Sequence, residues 1–160
     1  MGLDMYLYKK TYIGANYPHN EAHGIIEVST MGKPVNIQFN RVTEISEEVG
    51  YWRKANSIHK WFVDNVQDGE DNCKEYYVSL EKLQKLKGII KRILNAPKSK
   101  KKKLAEELLP PCDGFFFGSE KIDEYYWDYL RDTLKIIEKV EEESQEDGGG
   151  WFSWVYRASW

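Results

Sequence analysis

Asn56 and His59 stand three positions apart in the segment Glu47 to Gln67, within a few residues of Trp52, Trp61 and Phe62. Burying an amide or an imidazole costs free energy unless each finds hydrogen-bond partners, so two such groups among apolar residues need a reason. If the whole segment is one helix, stepping it at about 100° per residue places Val49, Tyr51, Trp52, Ala55, Ile58, Phe62, Val63 and Val66 on one broad face. His59 then falls near the middle of that face and Asn56 at its edge. Two readings follow. Either both side chains satisfy backbone groups inside the core, or they line a cavity with Trp52 as a stacking wall and Arg53 as a clamp for phosphate or carboxylate. An enzyme reading would make His59 a general base with Asp4 or Asp64 as its partner. Trp61 projects near Lys54 and Asn65, away from that face. It is expected either as an exposed partner or subunit contact, or under a neighbouring loop.

Other reactive types are sparser. His19 and His23 flank Glu21, but Pro18 and Gly24 bracket a loop. The zinc-protease pattern instead sets Glu directly after the first His on a helix. No metal site is expected. Cys73 and Cys112 lie in no pattern of activated thiols, no Gly-x-Ser-x-Gly elbow occurs, and no catalytic residue or cofactor is assigned. Ser119 after Gly118 reads as a helix cap whose free N–H groups can also hold an anion. Arg157, in an aromatic tail, can pair an acid or stack on a base. Asp4 is the acid placed to meet a base edge or an arginine.

The elements that must position these groups follow from patterning. Leu3, Met5 and Leu7 alternate with Asp4, Tyr6 and Tyr8, the period of a two-faced strand. GIIEVS and PVNIQF read as a hairpin around Met31-Gly32-Lys33. Ser46 with Glu47 and Glu48 reads as the start of the long helix. KEYYVS predicts a strand, and Ser79 caps a helix striped by Leu80, Leu83, Leu86, Ile90, Ile93 and Leu94. Pro97 stops it, and the run Lys98 to Lys103 precedes a short helix through Leu109. That run can meet phosphates or an acidic partner, or be a solvated helix start. GFFFGS reads as a buried strand, Glu120 to Glu142 as an amphipathic helix, and WFSWVYRASW as a final strand with Trp154, Tyr156 and Ala158 on one face and Val155, Arg157 and Ser159 on the other. Together these predict one α+β domain over residues 1–160, a small antiparallel or mixed sheet covered by three to four helices.

Composition bounds the partners. The 160 residues carry a formal charge of −3, which argues against gripping long nucleic acid, while a few placed cations suffice for a small anion. Two isolated cysteines suit a reducing compartment. No signal-peptide pattern opens the chain and no apolar run reaches membrane-spanning length, so a cytoplasmic location and no membrane partner are expected.

The opening MGLDMYLYKK, the segment EVGYWRKANSIHKWFVDNVQDG, the piece CKEYYVS, the turn LLPPCDGFFFGS with DEYYWDYL, and the aromatic end together resemble a widespread family of short phage and prophage proteins. The resemblance covers most of the chain apart from Thr11 to Val42 and the lysine run. It implies an anti-defence sponge in the infected bacterial cytoplasm, which sequesters cyclic dinucleotide signals such as 3′3′-cGAMP without cleaving them and so silences the CBASS response. In that role Trp52 and Tyr6 or Tyr8 would stack on bases, Arg53 and Arg157 would meet phosphates, and Asn56 or Asp4 would read a base edge, with His59 in the same segment. A homo-oligomer with Trp61 at its contact would suit such a sponge. The competing classes are an interaction protein that blocks a host enzyme and a small nucleotide-processing enzyme built on His59.

Overall fold

Leu3, Met5 and Leu7 are fully buried while Asp4, Tyr6 and Tyr8 are only partly covered, and this alternation forms strand β1, Asp4–Tyr12. The computed structural model describes residues 2–14, 26–112, 121–146 and 151–160. β1 is an inner strand of a four-stranded sheet that also holds β4 (Glu44–Arg53), β5 (Glu75–Val78) and β6 (Phe152–Ser159), in the order β4-β1-β6-β5. Every neighbouring pair is antiparallel. A separate hairpin joins β2 (Val28–Thr30) to β3 (Lys33–Val35) through Met31 and Gly32, as the turn residues predict.

Helices α1 (Asn56–Asn65), α2 (Leu80–Leu94), α3 (Lys98–Leu108) and α4 (Glu124–Glu146) complete an α+β fold. Ser79 caps α2 by accepting from the Lys82 amide at 3.3 Å, and the expected stripe of Leu83, Leu86, Ile90 and Ile93 is fully buried. Along α4, Tyr126, Leu130, Thr133, Ile137 and Val140 share the buried face and close the core with Met5, Leu7, Trp52 and Tyr156 from the sheet. Gly50 lets β4 approach α4: a Cβ there would lie 2.6 Å from Ile136 Cγ2.

The long helix expected from Glu47 to Gln67 does not form. Its first half is strand β4, and only Asn56–Asn65 is helical. Ser46, Glu47 and Glu48 therefore cap nothing; they pair with Lys10, Lys9 and Tyr8 across the ladder. The physical cause is twofold. Ile45, Val49, Tyr51 and Trp52 are strand formers, Gly50 disfavours a helix interior by about 1 kcal/mol, and β1 needs a partner on that edge. The chain breaks at Lys54, which adopts a left-handed φ of 58° and donates its amide to Leu3 O at 2.8 Å.

Trp61 is covered, as one of its two expected placements has it, but it lies in the core rather than away from it. It is only 6 % exposed and packs edge-on against Phe62, with ring centroids 5.3 Å apart. Helix α1 is short and buried on most of its circumference, so a wheel drawn from Glu47 misjudges which side faces out. The lysine run does not precede a helix but forms the first turns of α3. His19, Glu21, His23, the GFFFGS strand, Gly118 and Ser119 lie outside the described residues.

Candidate functional site

Helices α1 to α4 all contribute buried side chains to the core on one face of the sheet, the face that carries Met5, Leu7, Trp52 and Tyr156. The eight residues singled out from the sequence consequently separate onto two sides. Trp52, Asn56 and His59 are inside, at 3 %, 0 % and 1 % exposure. Asp4, Tyr6, Tyr8, Arg53 and Arg157 point the other way, because they occupy the alternate positions of β1, β4 and β6. A single helical face holding Trp52, Arg53, Asn56 and His59 does not exist; Trp52 and Arg53 are successive strand residues and so diverge.

Within the interior group, His59 and Trp52 are held by hydrogen bonds to other side chains, whereas the buried Asn56 Oδ1 accepts none among the described residues. His59 Nδ1 meets the Tyr156 hydroxyl at 2.8 Å and Nε2 meets Asp71 Oδ2 at 2.9 Å. Asp71 in turn accepts from Trp160 Nε1 at 3.0 Å. A carboxylate on Nε2 favours the tautomer in which that nitrogen carries the proton and Nδ1 accepts from the phenol. Tyr156 stacks on Phe62 with centroids 3.9 Å apart and planes within 6°, and burial, then the Asp71 charge, pushes its phenol well above the usual range. The partner of His59 is thus Asp71, not Asp4 or Asp64; Asp64 pairs with Lys60 at 2.8 Å. Trp52 donates its indole N–H to Thr133 Oγ1 at 2.8 Å, and Thr133 donates to Tyr129 O at 2.6 Å. These links tie β4, α1, β6 and α4 together.

The outer face is built differently. Tyr6 and Tyr8, two apart on β1, hold their rings 5.8 Å apart and within 11° of parallel. Tyr51 on β4 lies directly across from Tyr6, with ring centroids 5.4 Å apart. Its hydroxyl donates to Asp4 Oδ1, and the same oxygen lies 3.9 Å from Arg53 Nε. That bond, then burial, raises the Tyr51 phenol above its usual value, while burial and then the Glu48 charge raise Tyr8. Arg157 on β6 is the other cross-strand neighbour of Tyr6, which puts its Cβ about 5 Å from that of Tyr6. The Arg157 side chain is exposed and has no ion pair among the described residues. Lys10 closes the far end between Glu75 at 2.7 Å and Glu44 at 3.1 Å. A bulge between Leu7 and Tyr8 leaves Val49 unpaired and keeps Glu48 beside Tyr8.

Tyr51, 43 % exposed, and Tyr77 on β5, 78 % exposed, belong to this face and escaped the sequence reading. The signal was present: Val49, Tyr51 and Arg53 alternate with Gly50 and Trp52. Among the described residues no group of three or more His, Cys, Asp or Glu could hold a metal ion, and no helix is long and apolar enough to cross a membrane. Comparison with family models, with curated proteins and with solved structures finds no match to this chain.

Proposed function

We propose that this chain binds a small nucleotide on the outer face of its sheet and holds it without turnover. The class of ligand is the cyclic dinucleotide that the resemblance to phage sponges implies, and the consequence of sequestering it would be to silence CBASS signalling. The observation that carries the reading is the pair of near-parallel rings of Tyr6 and Tyr8 beside the exposed guanidinium of Arg157. Stacking on an aromatic face contributes about 1–3 kcal/mol per base, and a guanidinium fits two phosphate oxygens at once. Arg53 supplies a second cation at the other edge, and the Asp4 carboxylate can accept from an exocyclic amine. His59 is not a candidate base for such a ligand, since both ring nitrogens are engaged in the interior.

A flat face covers only one side of a ligand. Sequestration from a host receptor calls for a second wall, and another copy of this chain offers the same face by two-fold symmetry.

The test is equilibrium binding to a panel of cyclic dinucleotides, followed by heat release and chromatography of the ligand. Binding with intact nucleotide recovered supports the reading. Linearised nucleotide would replace it with an enzyme, and no binding across the panel would remove it in favour of a protein partner.

A further inference from the structure

The charge of −3 conceals a strong segregation. Residues 80–103 hold ten of the 23 Lys and Arg but one of the 26 Asp and Glu. These residues are α2 and the first turns of α3, on the helical layer and thus remote from the outer face of the sheet. Some of the cations are used internally: Lys85 pairs with Glu81, Lys87 with Glu138 and Glu141, and Lys91 with Glu138 at 3.8 Å, while Lys101 lies 5.1 Å above the Trp127 ring. Arg92, Lys98, Lys100, Lys102 and Lys103 are exposed and have no ion pair among the described residues. Arg92, Lys100 and Lys103 line a cleft of about 600 Å³ between the two helices, floored by Ala96, Pro97 and Leu104 and containing one acid, Glu107.

Folding does not account for these lysines. They crowd the positive end of the α3 dipole, where the first turn holds no acidic residue and no side chain caps the helix. Lys98 and Lys102, or Lys100 and Lys103, are also like-charge neighbours at helical spacing. The arrangement is unfavourable in the free chain and becomes favourable when an anion covers it.

We propose that this surface binds the phosphate backbone of a nucleic acid without reading its sequence. Charge complementarity selects that occupant. A protein partner would need apolar or aromatic anchors in the patch centre, where lysine is normally depleted, and an anionic membrane would need exposed apolar residues beside the lysines. Around these five exposed cations the apolar surface of the cleft is limited to Ala96, Pro97 and Leu104, with no aromatic anchor among the described residues of its lining. Backbone binding needs no such anchors, because its affinity comes from releasing condensed counterions. Net charge alone argues against long nucleic acid as a partner, whereas the local segregation of charge argues for it.

The test is fluorescence anisotropy of the full chain with a labelled duplex of about 20 base pairs, titrated at several salt concentrations. Five phosphate contacts predict a slope of about −4.5 in log K against log salt, or roughly a 500-fold loss between about 50 and 200 mM salt. Changing Lys98, Lys100, Lys102 and Lys103 together to Gln should flatten the slope to about −1, and changing them to Arg should restore it. The Gln variant should melt no lower than the parent, since like charges leave the positive end of the α3 dipole. No binding at low salt, a slope unaffected by the Gln changes, or tighter binding to anionic vesicles or polyglutamate than to DNA would each overturn the proposal. Arg157→Ala should leave this binding unchanged, so its outcome is independent of nucleotide binding on the sheet.

Discussion

His59 and Tyr6 mark the two kinds of environment in this chain. Both ring nitrogens of His59 are committed, to Tyr156 and Asp71, so removing the Tyr156 hydroxyl leaves a buried acceptor without its donor. Tyr156→Phe should lower stability by about 1–3 kcal/mol in urea denaturation while leaving nucleotide binding intact. An unchanged denaturation midpoint would mean that the Tyr156–His59 bond contributes nothing. The buried and half-buried phenols also set the alkaline limit. Tyr126, Tyr129 and Tyr156 all have phenols raised above the usual 10.0, each chiefly by burial. Their folded values exceed the unfolded ones, so their stabilising contribution is complete below about pH 10 and is lost as pH rises toward the folded values. Each phenol that ionises only in the unfolded chain steepens that loss by about 1.4 kcal/mol per pH unit, and three give about 4. Urea midpoints measured between about pH 9 and 12 should fall steeply above 10; a flat profile would contradict the burial of these rings.

Among the elements, β1, α2, α4 and β6 were legible because each depends on its own periodicity. Leu3, Met5 and Leu7 keep period two, and Leu83, Leu86, Ile90 and Ile93 keep helical spacing. β4 was not legible, because Ser46-Glu47-Glu48 imitates a capped helix start and the break at Lys54 carries neither Gly nor Pro to announce it. What decides β4 is non-local: the β1 edge on one side and α4 on the other. Gly50 records that second contact, and Gly50→Ala should cost about 1–3 kcal/mol through overpacking against Ile136, read as a fall in thermal midpoint. An unaltered midpoint would show that β4 and α4 can separate freely. The candidate site was half legible for the same reason. The strand positions Asp4, Tyr6, Tyr8 and Arg157 came together because alternation sorted them correctly, whereas Trp52, Asn56 and His59 were joined to Arg53 by a helix that does not exist.

Across the whole molecule, the helices cover one face of the sheet and leave the tyrosine-bearing face to carry the proposed ligand, while the lysines of α2 and α3 form a second charged surface on the helical layer. The two sides make different demands. Interior groups such as Trp52 and His59 hold the sheet to its helices, and changes there should appear in stability. Outer residues such as Tyr6 and Arg157 contribute little to the core, and changes there should appear in binding. The most direct measurement is therefore calorimetric titration of 3′3′-cGAMP into the parent chain and into Arg157→Ala and Tyr6→Leu, with thermal midpoints taken alongside. The expected result is saturable binding to the parent and at least about tenfold weaker binding in each variant, equivalent to about 1.4 kcal/mol, with melting little changed. Binding that survives in both variants, or is lost only in variants that also unfold, would contradict a nucleotide site on the outer face of the sheet.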